Sequence, residues 1–278
     1  MFETLKNVFR VKEMRRKLLY LIWMIFIIRI GCQIPVPGVD SDFFKQWFSS
    51  NAGDAFNFFD AFTGGSFERM SIFALNITPY ITSSIIIQLL TIAIPALEEM
   101  QRDGEEGRKK MTAITRYVTV GLALFESIAM AIGFGRQGMI PDLDFFKGVV
   151  VVACLTAGSA MLMWLGERIT EKGVGNGISI VLTINIISRV PSDLALLYEN
   201  FIKGKTIAKG TLAGLIIAAV ILLVVVLVLI LNGAERRIPV QYSKKMVGRK
   251  LMGGQSTNIP LKVNTAGVIP VIFASSIM

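Results

Sequence analysis

Apolar runs of membrane-crossing length recur from one end of this chain to the other, and they decide what it can fold into. The densest, Leu212 to Leu231, holds sixteen Leu, Ile or Val in twenty residues. At central-position insertion values these side chains are worth together roughly −5 to −9 kcal/mol, an upper bound because end positions count for less. Scanning with a window of about 19 residues predicts spans near 18–37, 72–95, 117–134, 148–166, 176–190 and 211–232, with a seventh beginning near Thr265. The expected fold class is therefore an all-α polytopic membrane protein, and not a soluble domain on one anchor. The first run is long, has no small-x-small cleavage site and is followed by further spans, so it reads as a retained helix rather than a signal peptide.

Composition then removes much chemistry. The 278 residues include no histidine, which excludes Ser/His/Asp triads, HExxH zinc sites and imidazole proton relays. Cys32 and Cys154 lie far apart in apolar segments without CxxC spacing and read as small core hydrophobes. No GxxxxGK[ST] loop occurs, so the chain carries no P-loop of its own. Lys172-Gly-Val-Gly-Asn-Gly177 superficially resembles a phosphate-binding loop. No strand precedes it, and a tight turn before the fifth span is the expected role. Neither a cofactor, a metal nor an enzymatic activity is expected.

Basic residues are one-sided. Of 29 Lys and Arg, twenty fall in the N-terminal segment and in the loops 96–116, 167–177 and 233–263. The side richer in Lys and Arg is cytoplasmic, which predicts a cytoplasmic N-terminus. That rule explains most of the net charge of +9 without a nucleic-acid partner. The loop after the sixth span is the exception. Arg236, Arg237, Lys244, Lys245, Arg249, Lys250 and Lys262 lie in some thirty residues, far more chain than a turn needs, and suit an acidic or RNA-rich partner.

The second span departs from a simple helix. It holds Gly64-Gly65, a short amphipathic stretch from Ser66 to Leu75 and a break at Thr78-Pro79. Proline suits the first turn of a new helix and pushes the preceding residue out of the α region, so two helical pieces are expected. A ten-residue piece rises only about 15 Å against an apolar core of about 30 Å. Such half-helices survive at membrane depth only when buried in protein or lining a cavity. Beyond the break, Ile81 and Ile85 share one face with Thr82, Ser83, Ser84 and Gln88 around it, which taken alone reads as ordinary bundle packing. Arg29 and Glu126 are the ionisable groups inside spans, each costing at least about 2.5 kcal/mol at the centre.

Several stretches together resemble one family, SecY, the pore subunits of the bacterial Sec protein translocon. They are Arg29-Ile-Gly, Ile34-Pro-Val-Pro-Gly38, Ser71-Ile-Phe-Ala-Leu, Thr78-Pro-Tyr-Ile-Thr-Ser-Ser-Ile-Ile-Ile-Gln-Leu-Leu90 and Gly104-Glu-Glu-Gly-Arg-Lys-Lys110. Met163-Trp-Leu-Gly-Glu167, Gly173-Val-Gly-Asn-Gly-Ile-Ser179, Glu235-Arg-Arg-Ile-Pro239 and the run from Leu261 to Ser276 follow in order. The resemblance implies ten helices in two inverted halves around an hourglass pore. This chain would supply the first part, truncated within the seventh span: a cytoplasmic N-terminus at 1–17, a five-helix half at 18–190, a sixth helix at 211–232, a docking loop at 233–263 and the start of the seventh helix at 264–278.

Carried over residue by residue, the resemblance reverses the packing reading of Ile81 and Ile85. They join Ile178, Leu182 and Ile272 in an aliphatic ring that would dewet when idle and yield to a passing chain. The segment 63–75, with Phe67, Glu68, Arg69, Ile72 and Phe73, resembles the plug. Thr82, Gln88, Glu126, Ser275 and Ser276 would border a lateral gate for apolar segments. Asn76 stands where the resemblance leads one to expect glycine. Arg236, Arg237, Lys244, Lys245, Arg249 and Lys250 would dock the ribosome and the SecA motor. The implied partners are SecE and SecG, SecA, the ribosome, signal peptides with nascent chains, and membrane lipids, in the bacterial cytoplasmic (inner) membrane. A secondary transporter with a broken-helix site is the competing reading, although the facing positions are mostly aliphatic. An intramembrane protease has no histidine, aspartate pair or Ser/Lys dyad to work with.

Overall fold

A computed structural model describes residues 11–51, 60–138, 140, 144–202, 207–240, 245–247, 250–252, 257–265 and 267. The chain divides into two compact units, 1–192 and 193–278. The first contains α1 (Lys12–Gly31), α2 (Ser41–Asn51), α3 (Thr78–Ala93), α4 (Pro95–Arg102), α5 (Gly104–Arg136), α6 (Phe145–Lys172) and most of α7 (Gly177–Phe201). The second contains α8 (Ile207–Gly233) and four short strands, β1 (Glu235–Val240), β2 (Lys245–Val247), β3 (Lys250–Met252) and β4 (Thr257–Lys262).

Among the described residues, α5, α6, α7 and α8 are long and apolar enough to cross a membrane, and α3 with α4 form a pair bent by 103°. The bend has a local cause. Pro95 forces Ile94 into extended backbone (φ −113, ψ 111), so α3 cannot run on into α4. The first expected span is shorter as a helix than its apolar run. α1 ends at Gly31, and the Ile34-Pro-Val-Pro-Gly38 stretch is non-helical because two prolines remove donors and fix φ.

α5 and α6 form the main packing pair. The buried stripe of α5 is Thr115, Thr119, Ala123, Ser127 and Ala131, small residues at every fourth position that let helices approach closely. Thr115, Thr119 and Ser127 return their hydroxyls to carbonyls one turn back, and Ser127 Oγ also meets Thr156 Oγ1 of α6 at 3.1 Å. α3 joins through Ser83, whose hydroxyl donates to the Thr115 carbonyl at 2.9 Å. Its covered face is Pro79, Ser83, Ile87 and Thr91.

Among the described residues, two apolar cores lie in this unit. One gathers Val36, Phe44, Phe67, Met70, Leu75, Phe134, Val151 and Leu155, with ring centroids of Phe44, Phe67 and Phe134 at 5.0–6.0 Å in edge-on pairs. The other gathers Ile28, Cys32, Phe73, Ile77, Leu162, Leu165, Ile169 and Val181. In the second unit, α8 carries exposed apolar side chains on every side, as expected of a helix surrounded by lipid or neighbouring spans.

Three elements escape a hydropathy scan. α2, between the first and second expected spans, is amphipathic and seals the first core with Phe44 and Trp47. α4 is polar. The basic stretch expected as an open loop is partly β-structure: β1 pairs antiparallel with β4, and β2 with β3.

Candidate functional site

The polar break of the second span is folded as a run of turns, and its local chemistry differs from the expected half-helix. From Gly64 to Ile77 the chain is a succession of turns and a single bridge residue. Four left-handed residues prevent a helix: Gly64 (φ 67), Gly65 (φ 80), Met70 (φ 47) and Asn76 (φ 51). The conformation of Asn76 is the reason a glycine is the expected residue there, and asparagine tolerates it at modest cost.

Three neighbours hold this segment. The proline-rich stretch after α1 pairs with it as backbone: Val36 N–H donates to Met70 O at 2.9 Å and Ile72 N–H to Ile34 O at 3.0 Å, with Pro35 bridging Ser71. α6 presses against it at Gly158, where an added Cβ would lie 2.0 Å from the Ile72 carbonyl oxygen. α7 touches it at Gly64, where an added Cβ would lie 2.7 Å from the Asn185 carbonyl oxygen.

A buried polar network joins the segment to α7. Asn185 Nδ2 donates to Asn76 Oδ1 at 3.0 Å, and Arg29 Nη1 donates to Asn185 Oδ1 at 3.3 Å. Asn76 in turn donates to the Phe62 carbonyl at 2.9 Å, and its own carbonyl accepts from Ser159 at 3.3 Å. At the other end, the Asp60 carboxylate, fully buried, pairs with Arg189. Its Oδ1 also accepts from Glu68 N–H at 2.9 Å and from Thr63 Oγ1 at 3.1 Å. Arg29, an ionisable group inside a span, therefore has a polar partner on α7.

The residues expected in the plug separate by position. Phe67 is buried in the first core and Phe73 in the second, while Ile72 packs against both. Glu68 is half-buried, and Arg69 is exposed with its guanidinium on Gln33. Of the ring positions, Ile81 and Ile178 pack against the second core, beside the fully buried Ile77. Ile77 went unmarked in the sequence, although it stands four residues before Ile81 on one helical face. Ile85 and Leu182 are half-buried, and Ile272 lies outside the described residues. Ile81 and Ile85 project from the side of α3 opposite its covered stripe, since two residues from Ser83 is a rotation of about 200°.

Thr82 donates to the Thr78 carbonyl within its own helix at 3.0 Å, Gln88 is exposed, and Glu126 is half-buried on α5. Ser275 and Ser276 lie outside the described residues. In the basic stretch, Arg236 and Arg237 are exposed on β1 opposite Leu261 and Pro260 of β4. Lys245 and Lys250 belong to β2 and β3, and Lys244 and Arg249 lie outside the described residues.

These features define a class: a polytopic helical membrane protein with a folded, non-helical segment wedged among its helices. The SecY family model matches residues 71–278, and the chain belongs to the SecY family. It is 44% identical to the protein translocase subunit SecY of Halalkalibacterium halodurans, over all of this chain and 65% of that protein. The Pseudomonas aeruginosa SecY is 44% identical over 96% of this chain and 60% of its own length, and that of Buchnera aphidicola 43% over 96% and 75%. The chain thus spans about two thirds of the length of the first of these relatives. Among solved structures, "The structure of a protein conducting channel" aligns with TM-score 0.58 and 19% identity, covering 95% of this chain and 56% of that one. "Sec61 in the Canine ribosome-channel complex from the endoplasmic reticulum" gives 0.58, 20%, 95% and 56%. The fold is shared with both. Membership of this family leaves the transporter reading without support.

Proposed function

We propose that the protein is a pore subunit of a protein-conducting channel, passing unfolded secretory polypeptides across the membrane and releasing apolar segments sideways into lipid. The observation that carries this reading is the stopper itself: residues 60–77 are packed as a compact wedge against α1, α6 and α7, directly before α3. A wedge of turns at membrane depth is tolerated only inside protein, and one at the head of an aliphatic helix face suits a conduit closed when idle.

In this reading Ile81, Ile85, Ile178, Leu182 and Ile272 form the constriction, with Ile77 supporting Ile81 from below. Aliphatic walls exclude water and ions yet bind no particular side chain strongly, which is what a sequence-tolerant conduit requires. Thr82, Gln88, Glu126, Ser275 and Ser276 border the lateral exit, where apolar transfer gains about 0.8 kcal/mol per CH₂. The exposed arginines of β1 face a cytoplasmic ribosome or SecA, and SecE and SecG complete the assembly. The bacterial inner membrane with a cytoplasmic N-terminus fits the one-sided basic charge.

The test is translocation by the full-length protein, reconstituted with these partners, of an unfolded secretory substrate into proteoliposomes. Protease-protected substrate that depends on this subunit is the expected result. Protection that is the same without it would remove the reading.

A further inference from the structure

We infer that Asn185 and Arg189 of α7 are positioning residues that fasten the 60–77 segment at Asn76 and at Asp60, and that this two-point latch sets how often the segment leaves its seat. The inference rests on the channel reading only for what release would accomplish. The two side chains lie one helical turn apart, in line with Gly177 and Val181 on the buried stripe of α7. Arg189 holds Asp60, ahead of the turns, and Asn185 holds Asn76, just before α3. Between these points the Gly64 backbone lies directly against Asn185.

Neither contact is one that the fold needs for bulk stability. A buried carboxylate with an arginine is costly to assemble, and an apolar pair of similar shape serves packing as well or better. What such a pair supplies is discrimination: once seated it is strong, and breaking either partner leaves a charge unpaired in a dry environment. The same holds for the Asn76–Asn185–Arg29 chain, whose amides are each satisfied by the next. Ordinary apolar contacts from Phe67 and Phe73 resist displacement gradually. The polar pairs give a threshold, because both points must come free before the segment can move.

The latch is read by native-state hydrogen exchange on the full-length protein in lipid nanodiscs. In Asn185→Ala combined with Arg189→Gln, amides of 60–77 should exchange roughly tenfold faster or more, while those of α5 and α6 keep their rates. Arg189→Lys alone keeps the charge and should stay within about threefold of the parent. Unchanged exchange at 60–77, equal acceleration in α5 and α6, or a lysine variant as fast as Arg189→Gln would each overturn the inference. Should the double variant fail to insert, Asn76→Gly removes one amide without straining the backbone, and its segment-confined acceleration decides the matter in the same way. Translocation of an unfolded secretory substrate by the same samples separates the two readings. Faster exchange in samples whose parent translocates supports both, whereas faster exchange with a parent that does not translocate keeps the latch and removes the channel reading.

Discussion

Asn185 donates a hydrogen bond to Asn76 across 109 residues of sequence, at 3.0 Å and out of reach of solvent. Two neutral amides satisfying each other inside an apolar bundle tie the break of the second span to the middle of α7. Around this pair the stopper, its cradle and the aliphatic face of α3 are organised.

Asn76 is held at φ 51. Glycine accepts this conformation freely, whereas alanine adds left-handed strain of about 1 kcal/mol. Asn76→Gly should therefore unfold at a higher temperature than Asn76→Ala in the same nanodiscs. An alanine variant as stable as the glycine one would mean that this φ is not enforced.

Gly158 lies where a side chain would collide with the Ile72 carbonyl. Gly158→Val should push residues 70–73 outward and expose Ser71, which is fully buried in the parent. In a background with Cys32 and Cys154 replaced by alanine, a Ser71→Cys reporter should react with a maleimide roughly tenfold faster or more when Gly158→Val is added. Equal labelling rates would place the close approach elsewhere.

Ile81 and Ile178 both pack against the core that holds Ile77, and Ile85 stands one turn further along α3. Replacing either with asparagine gives water a hydrogen-bonding foothold in the constriction, so ion conductance of the full-length channel across a bilayer should rise severalfold. Ser83→Ala, on the opposite, covered face of α3, should leave it unchanged. A leak that Ile81→Asn and Ile85→Asn do not alter would remove these residues from the seal.

Arg236 and Arg237 are exposed on β1, stiffened by its pairing with β4. Charge reversal of both should weaken ribosome binding, and neutralisation should flatten the dependence of log K on log salt by about 0.7 to 0.9 for each phosphate left without its arginine. Ribosome binding measured between about 50 and 200 mM salt checks both. An unchanged slope would mean that these side chains meet no phosphate.

Much of the bundle was legible because lipid imposes a simple rule. Backbone must be satisfied internally and side chains must be apolar, so the runs containing α5, α6 and α8 announce themselves. The break at Pro79 was equally plain, since proline at the first turn of α3 is a local requirement. The turn chemistry of 64–77 was not. The pattern from Ser66 to Leu75 has helical spacing, and only the left-handed residues, fixed by contacts with the 34–36 stretch, α6 and α7, reveal that no helix forms. Similarly, α2 and the β1–β4 pair carry no membrane signal, because their stability comes from an aromatic cluster and from a partner strand some twenty residues away.

The sequence by itself determined the class of fold, the approximate spans, the one-sided charge and the position of the break, all of which follow from local composition and period. Tertiary structure alone decided which polar residues meet. Asp60 with Arg189, and Arg29 with Asn185 and Asn76, are distant in sequence and each looks like an isolated liability in an apolar setting. A buried polar group is tolerable only with a partner, and the partner is supplied by packing geometry that no local pattern encodes.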